Sequence, residues 1–329
     1  MEGGRARGAG RRPGPDPARS THHAEGQRTL IRLCLRLVAV ILWTLLAIPV
    51  QALLLQLPGR APERFAMRYW RGVAAILGLD VTVHGALAGQ RPTLFIANHC
   101  SWLDIVALGS VLPGCFVAKG EIAGWPVIRT VARLGRTVFV SRARSGVQRE
   151  RDELARRLAA GDNIILFPEG TTSDGTRILP FASAFLALAQ TPARPHIQLV
   201  TMVYDRLDGL PVRRRDRPEI SWYGDMNLAG HFNRIGRRRR LHATVLLDEA
   251  LPPGAFPNRK ALSAALERRL AGNAAALRQG RPVPGGEGRT GNGGEGRPGN
   301  RSEGHPINRV TTQNGHPKFL DTTPGNIAE

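Results

Sequence analysis

Residues Leu94 to Asp104 read LFIANHCSWLD, and the expected architecture follows from this short stretch. Its apolar half predicts a buried strand over Thr93–Ala97. The polar half places His99 just past the carboxyl end of that strand and Asp104 in the first turn of the helix expected to follow. Open α/β sheets bind ligands at the carboxyl ends of their strands. This stretch is therefore predicted to contain a central strand and, just after it, residues of a functional site.

Strand and helix patterns alternate from about residue 80 onward. Ser145–Ala160 is the clearest helix, with Ser145 as its N-cap and Gly161 as its stop, and Arg259–Arg278 is predicted as the last helix. Such alternation predicts an α/β fold with a largely parallel central sheet flanked by helices. The other runs predicted as strands are Cys115–Ala118, Thr137–Ser141, Asn163–Phe167, Ile197–Val203, Glu219–Tyr223 and His242–Leu247.

An uncharged apolar segment of 21 residues, Leu37–Leu57, precedes this domain. It is long enough to cross a bilayer, although Pro49 and Gln51 inside it equally suit a bent or re-entrant insertion. Arginines on both flanks leave the orientation open by the positive-inside rule. The segment predicts a monotopic membrane anchor, with the catalytic portion on the cytoplasmic face of the inner membrane; the alternative is a buried core helix.

Composition divides the chain into four parts. Residues 1–27 are predicted to be a disordered basic tail, residues 28–79 the membrane anchor with a connecting helix, and residues 80–278 the catalytic domain. Residues 279–329 repeat Gly, Glu, Arg, Pro and Asn, which cannot bury enough apolar surface to fold, so a second disordered tail is expected there.

The formal net charge is +20, and 43 of the 46 basic residues are Arg. Such a charge attracts polyanions, including anionic lipid head groups, acidic carrier proteins or nucleic acid, without choosing among them. A GC-rich coding sequence, which enriches a protein in Arg, Ala, Gly and Pro, explains the high charge equally well. The three cysteines are odd in number and lack metal-ligand spacing, so a reducing compartment and no metal site are expected.

His99 and Asp104 suit general-base catalysis. A neutral imidazole can remove a hydroxyl proton near pH 7, and a carboxylate behind the ring fixes its tautomer. Asp104 also completes a capping-box pattern with Ser101, which is a purely structural alternative. Cys100 and Ser101 are not predicted to be nucleophiles, because neighbouring residues at a strand-to-helix turn rarely point at each other.

A second signal, Phe167-Pro168-Glu169-Gly170-Thr171, again follows an apolar run, about 70 residues after the first. The two motifs in this order resemble those of the glycerolipid acyltransferase family. The resemblance implies transfer of a fatty acyl group from a thioester to a lysolipid hydroxyl, with His99 as the base and Asp104 its partner. It also implies that Glu169, Gly170 and Thr171 position the acceptor and the oxyanion.

Two basic residues match further segments of the family. Arg142 follows the predicted strand Thr137–Ser141, and the resemblance implies that it binds the acceptor phosphate. Ser141 stands where the family often has Asp. Lys119 is the only Lys among the first 259 residues, and is predicted to contact an acidic head group as a compact charge.

The resemblance leaves two acceptors open. 1-Acyl-sn-glycerol-3-phosphate, giving phosphatidic acid, is the leading expectation. However, Thr172 stands where many phosphatidate-forming members have Arg, and Arg177 is the nearest substitute. This variant, with Tyr204–Pro211 and Trp222–Met226, resembles acyltransferases of lyso-ornithine lipid, which is the alternative acceptor.

The resemblance implies no cofactor, only acyl-CoA or an acylated carrier protein as donor, which arginine runs at 213–215 and 237–240 could attract. A nucleic-acid-binding protein is an alternative from another class, but no recognised motif supports it and no specific nucleic acid is expected. A lipid hydrolase is a further alternative, disfavoured because the chain has no Gly-x-Ser-x-Gly motif.

Overall fold

The computed structural model describes residues 17–119, 130, 132, 135–140, 147–281 and 289–290. The helices in these ranges are α1 (Pro17–Leu54), α2 (Ala61–Leu77), α3 (Leu103–Val111), α4 (Val147–Ala159), α5 (Arg217–Ile220), α6 (Leu228–Arg237) and α7 (Arg259–Arg278), with 3-10 turns at Phe185–Gln190 and Arg214–Asp216. The strands are β1 (Leu79–His84), β2 (Thr93–Ala97), β3 (Cys115–Lys119), β4 (Val138–Val140), β5 (Ile164–Leu166), β6 (His196–Leu207), β7 (Leu210–Pro211), β8 (Leu241–Leu247) and β9 (Arg289–Thr290).

The described strands form one sheet in the order β4-β3-β5-β2-β6-β8-β1-β9, with β7 added to β6. Pairing is parallel from β4 through β6 and between β8 and β1, and antiparallel between β6 and β8. The predicted fold class, a largely parallel sheet flanked by helices, is therefore confirmed. The parallel strands β4, β3, β5 and β2 all end at the same edge, where the loops that carry the two motifs meet.

The strand β2 lies inside this sheet and is buried at every position. Its alternate side chains enter two separate cores. Phe95 and Ala97 pack into the core on the α2 and α3 side, and Leu94 and Ile96 into the core on the α4 and α7 side. Burial on both faces fixes the end of β2, and His99 follows two residues later.

Most predicted elements are found close to their expected bounds, but Glu219–Tyr223 is not a strand. Residues 217–220 form the short helix α5, with Pro218 in its first turn. The N–H of Ser221 donates to Arg217 O at 2.8 Å, where the helix ends. Trp222 N–H then donates to Cys100 O at 2.8 Å. These bonds use the backbone groups that a strand would have offered to a sheet. The strand β1, Leu79–His84, was not predicted.

The N-terminal helix α1 begins at Pro17, upstream of the boundary predicted at residue 28, and continues through Pro49 without a break. Within the described residues, one helical stretch, Gly26–Leu54, is long and apolar enough to cross a membrane. One face of α1 packs on the protein: Trp43 donates to Tyr69 O at 3.1 Å, and Gln51 to Pro62 O at 3.1 Å. The opposite face exposes large apolar side chains: Ile31, Leu35, Val38, Leu42, Leu45, Leu46 and Leu53.

Candidate active site

His99 and Asp104 form a hydrogen-bonded pair at the carboxyl end of β2. The distance from His99 Nδ1 to Asp104 Oδ2 is 2.8 Å. An ionised carboxylate can only accept, so Nδ1 carries the proton and the unprotonated Nε2 is left for a substrate. The His99 side chain remains 17% exposed while Asp104 is completely buried. One side of the imidazole is thus held by the protein and the other can reach a ligand.

Asp104 accepts several hydrogen bonds besides the one from His99. Its Oδ2 accepts the N–H of Cys100 at 2.6 Å and of Ser101 at 3.0 Å, and its Oδ1 accepts the Tyr204 hydroxyl at 2.8 Å. The Ser101 contact is half of the capping box that the sequence suggested. One side chain therefore binds the backbone just before α3 and orients the imidazole, and the catalytic role of Asp104 stays a prediction.

The His99 segment is fixed by neighbours on every side. Asn98 exchanges two side-chain hydrogen bonds with the backbone of Met202, at 2.9 and 2.8 Å. The imidazole stacks on the Phe167 ring, with centroids 4.0 Å apart and planes 13° from parallel. The carbonyl of His99 accepts the N–H of Ser173 at 2.9 Å. The imidazole is thereby held in one orientation, as a preorganised catalytic group would have to be.

Glu169 connects the second motif directly to the first. Its carboxylate accepts the backbone N–H of His99 at 2.7 Å and the N–H of Leu179 at 2.7 Å. Burial raises the pKa of Glu169 to about 7, the two N–H donors oppose that rise, and the negative charge of Asp104 adds to it. In this structure Glu169 shapes the loop around His99, so its first role is to hold the two motifs together.

The next two residues of the motif differ in what they offer a ligand. Gly170 adopts a left-handed backbone with φ of 64°, which favours glycine. Its N–H donates to Phe167 O at 3.1 Å and is already engaged. Thr171 is exposed, and its N–H makes no hydrogen bond to any described residue. Of this pair, Thr171 has the N–H that is free to meet a developing oxyanion.

The basic residues expected to bind the head group are only partly located. Lys119 ends β3, so its backbone lies at the same sheet edge as His99, but its side chain lies outside the described part. Arg142 lies wholly outside the described residues, and its role stays a prediction. Arg177, the suggested substitute for a missing phosphate ligand, is exposed.

Cys100 has the environment of a structural thiol. It is 6% exposed, and burial raises its pKa well above the usual range, with the charge of Asp104 adding to the effect. A neutral, buried thiol is a poor nucleophile. This agrees with the prediction that acyl transfer does not pass through Cys100.

Three residues near the site were not among the predicted site residues: Tyr204, Arg217 and Arg278. Tyr204 bonds Asp104, and the two arginines line a cavity that Cys100 and Tyr204 also border. Each comes from an element remote in sequence from the motifs. One signal existed for Arg278: it continues the buried stripe Leu262, Leu266, Leu270 and Ala274 of α7 at the same four-residue spacing, which directs its side chain toward the protein.

A hydrogen-bonded His–Asp pair lies at the carboxyl edge of the parallel sheet, beside a loop whose Thr171 N–H has no described partner. Such an arrangement is chemically suited to removing a proton from a hydroxyl and stabilising an oxyanion. Residues 80–205 match the family model described as Acyltransferase. A lyso-ornithine lipid O-acyltransferase of Rhizobium meliloti is 37% identical over 77% of this chain and 92% of its own length. The chain therefore belongs to the acyltransferase family and is an acyltransferase, which replaces the nucleic-acid-binding alternative.

Two further relatives and one solved structure extend the comparison. A lyso-ornithine lipid O-acyltransferase of Brucella abortus is 38% identical over 77% of this chain and 98% of its own length. A 1-acyl-sn-glycerol-3-phosphate acyltransferase of Neisseria meningitidis is 33% identical over 58% of this chain and 73% of its own length. The crystal structure of the 1-acyl-sn-glycerophosphate acyltransferase PlsC from Thermotoga maritima shares the fold, with a TM-score of 0.57 at 19% identity, over 79% of this chain and 99% of that one.

Proposed function

We propose that this enzyme is a lyso-ornithine lipid O-acyltransferase, which moves a fatty acyl group from a thioester to the free hydroxyl of lyso-ornithine lipid. The observation that carries this acceptor is the likeness to two enzymes of that name over 92% and 98% of their lengths. Thr172, in place of the Arg common among phosphatidate-forming members, supports the same acceptor.

The proposed reaction is a direct transfer. As the acceptor oxygen attacks the thioester carbon, His99 Nε2 takes the hydroxyl proton, and Asp104 stabilises the imidazolium that forms. The new C–O bond gives a tetrahedral oxyanion, which the Thr171 N–H is placed to receive. The C–S bond then breaks, and the imidazolium returns its proton to the leaving thiolate. No acyl-enzyme is needed, so both substrates bind together.

The donor in this proposal is acyl-CoA or an acylated carrier protein, and no further cofactor is required. Because both donors are products of cytoplasmic metabolism, we propose that the active site faces the cytoplasm. The apolar exposed face of α1 supports monotopic anchoring, because its other face is already engaged with the protein. Lys119 and Arg142 are retained as proposed contacts to the lipid head group.

Lysophosphatidic acid is a second candidate acceptor, giving phosphatidic acid as product. The Neisseria meningitidis relative that is 33% identical carries that activity in its name. Both acceptors present a hydroxyl to the same base, so the proposed mechanism is unchanged. What differs is the head group: a phosphate in one case and an amino acid in the other.

The test is an acyl-transfer assay on full-length protein in detergent micelles, with radiolabelled acyl-CoA or acylated carrier protein and each lysolipid in turn. Product from lyso-ornithine lipid that His99→Ala lowers by about 10³-fold supports the proposal. His196→Ala, at the opposite end of the sheet, is the matched control and should retain activity. Product from lysophosphatidic acid alone would transfer the assignment to the second candidate.

A further inference from the structure

A cavity beside the loop that carries His99 is lined by charged residues whose arrangement suits a charged ligand. It opens to solvent, has a cavity volume of about 100 Å³, and lies where β6 continues past the end of β2. Its walls include Asn98 and Cys100 of the first motif, Ser173 and Gly175 of the loop that follows the second, and Tyr204, which binds Asp104. The cavity therefore shares its walls with the catalytic pair.

Two guanidinium groups, those of Arg217 and Arg278, line this cavity. Arg278 is half-buried at the end of α7 and donates to the carbonyl of Thr176 at 3.0 Å. Arg217 is half-buried at the start of α5. Among the described residues, neither guanidinium has a carboxylate within ion-pair distance, and Arg217 makes no side-chain hydrogen bond.

The two positive charges also act on each other. Burial lowers the pKa of Arg278, and the charge of Arg217 lowers it further, while Cys100, Asp174 and Glu169 oppose the decrease from a distance. Burying the Arg278 charge beside a second positive charge, with no carboxylate within ion-pair distance among the described residues, is unfavourable. An anion between them would remove the repulsion and would find planar donors suited to bidentate recognition of a carboxylate.

The lining also contains a carboxylate, Asp205, held by His242 Nδ1 at 2.6 Å. A cavity with two cations and one anion suits a head group that carries both signs better than it suits a dianionic phosphate. The head group of lyso-ornithine lipid is an amino acid with a free carboxylate and a free ammonium group.

We infer that this cavity is the head-group site of the acceptor, and that Arg278 and Arg217 bind the ornithine carboxylate. This inference rests on the acceptor proposed above. It accounts for Thr172: the anion of the head group is bound by arginines of α5 and α7 rather than by an Arg within the second motif. Arg278 and Arg217 are then the residues that determine acceptor specificity.

The test compares lyso-ornithine lipid with its carboxyl methyl ester as acceptors for the full-length enzyme. Wild type should prefer the free carboxylate by about 10- to 100-fold in kcat/KM, chiefly through KM. Arg278→Met and Arg217→Met should each lose most of that preference by weakening the acid alone. Arg278→Lys should recover part of it. Arg268→Met, an exposed position on the same helix, is the matched control and should behave as wild type.

The outcomes distinguish failure of the inference from failure of the proposed function. A wild type that acylates acid and ester equally well, with both reactions lost in His99→Ala, would refute the head-group site while the proposed function stands. Equal losses toward both acceptors in Arg278→Met would show a structural role and refute it too. A wild type that acylates only lysophosphatidic acid would remove the proposed function and the carboxylate site together.

Discussion

At the scale of single residues, Asp104 is the centre of the site, because one buried carboxylate serves the imidazole, two backbone N–H groups and a phenol. These hydrogen bonds come from two segments, the loop after β2 and the strand β6, while Asp104 itself lies in the first turn of α3. The orientation of His99 is therefore coupled to the packing of the central sheet.

Replacing Tyr204 by Phe tests this coupling. The change keeps the ring in the core but removes the hydroxyl that donates to Asp104, and we expect kcat to fall about tenfold with little change in KM. The free energy of unfolding should fall by about 1–2 kcal/mol. Tyr223→Phe is the matched control, because its hydroxyl makes no hydrogen bond to any described residue. An unchanged kcat in Tyr204→Phe would mean that three donors suffice to position Asp104.

The raised pKa of Glu169 predicts a pH-dependent stability. Between the ordinary pKa of 4.5 and the folded-state value of about 7, the native protein holds a proton that the unfolded chain releases. Stability from this group is thus complete below about pH 4.5 and is lost as pH rises through 7, by at most about 3 kcal/mol. Unfolding at pH 5 and pH 8 should show a smaller pH difference for Glu169→Gln than for wild type; parallel losses would contradict the prediction.

The residues of the site differ in how far the sequence could reveal them. His99 and Asp104 lie within one short segment, so local spacing was sufficient to pair them. Tyr204 and Arg278 reach the same place through the packing of β6 and α7. No local pattern marks the Tyr204 contact, and for Arg278 the signal was the four-residue spacing that continues the buried stripe of α7. Arg177 is the first Arg after the second motif in the sequence, but Arg278, remote in sequence, lines the cavity beside the site.

At the scale of elements, sequence patterns located strands wherever burial alone decides the conformation. The strand β2 was predicted with its observed bounds because both its faces are buried. Glu219–Tyr223 has the alternation of a strand, but its backbone partners are a helical turn and the Cys100 carbonyl. The strand β1 was missed because most of its side chains are only partly buried, which weakens the apolar signal.

The helix α1 gives a prediction about membrane binding. Leu35, Leu42 and Leu46 are each more than half exposed on its outer face, so replacing all three by Gln should leave the fold intact and remove much of the apolar surface offered to lipid. We expect the bound fraction in vesicle flotation to fall by at least tenfold, since each buried Leu contributes roughly 1.5–3 kcal/mol. Leu210→Gln, equally exposed on β7, is the control; an undiminished bound fraction in the triple variant would assign anchoring elsewhere.

At the scale of the whole molecule, the site is assembled from the loops after β2 and β5, the strand β6 and the helices α5 and α7. The class of fold was predictable because alternation of strands and helices is repeated along the chain. The cavity that receives the head group was not, because it exists only where α5 and α7 close over the end of the sheet.

The contacts between α1 and the rest of the protein have a consequence for how substrate is found. Arg32 donates to Arg237 O at 2.8 Å and Arg36 to Arg238 O at 2.6 Å, so the helix is fastened to the carbonyls at the end of α6. With α1 held in a lipid surface, the height of the catalytic pair above that surface cannot vary. Encounter with the acceptor then becomes a search in two dimensions, whose rate follows the number of lysolipids per unit area of leaflet rather than their number per unit volume of cell.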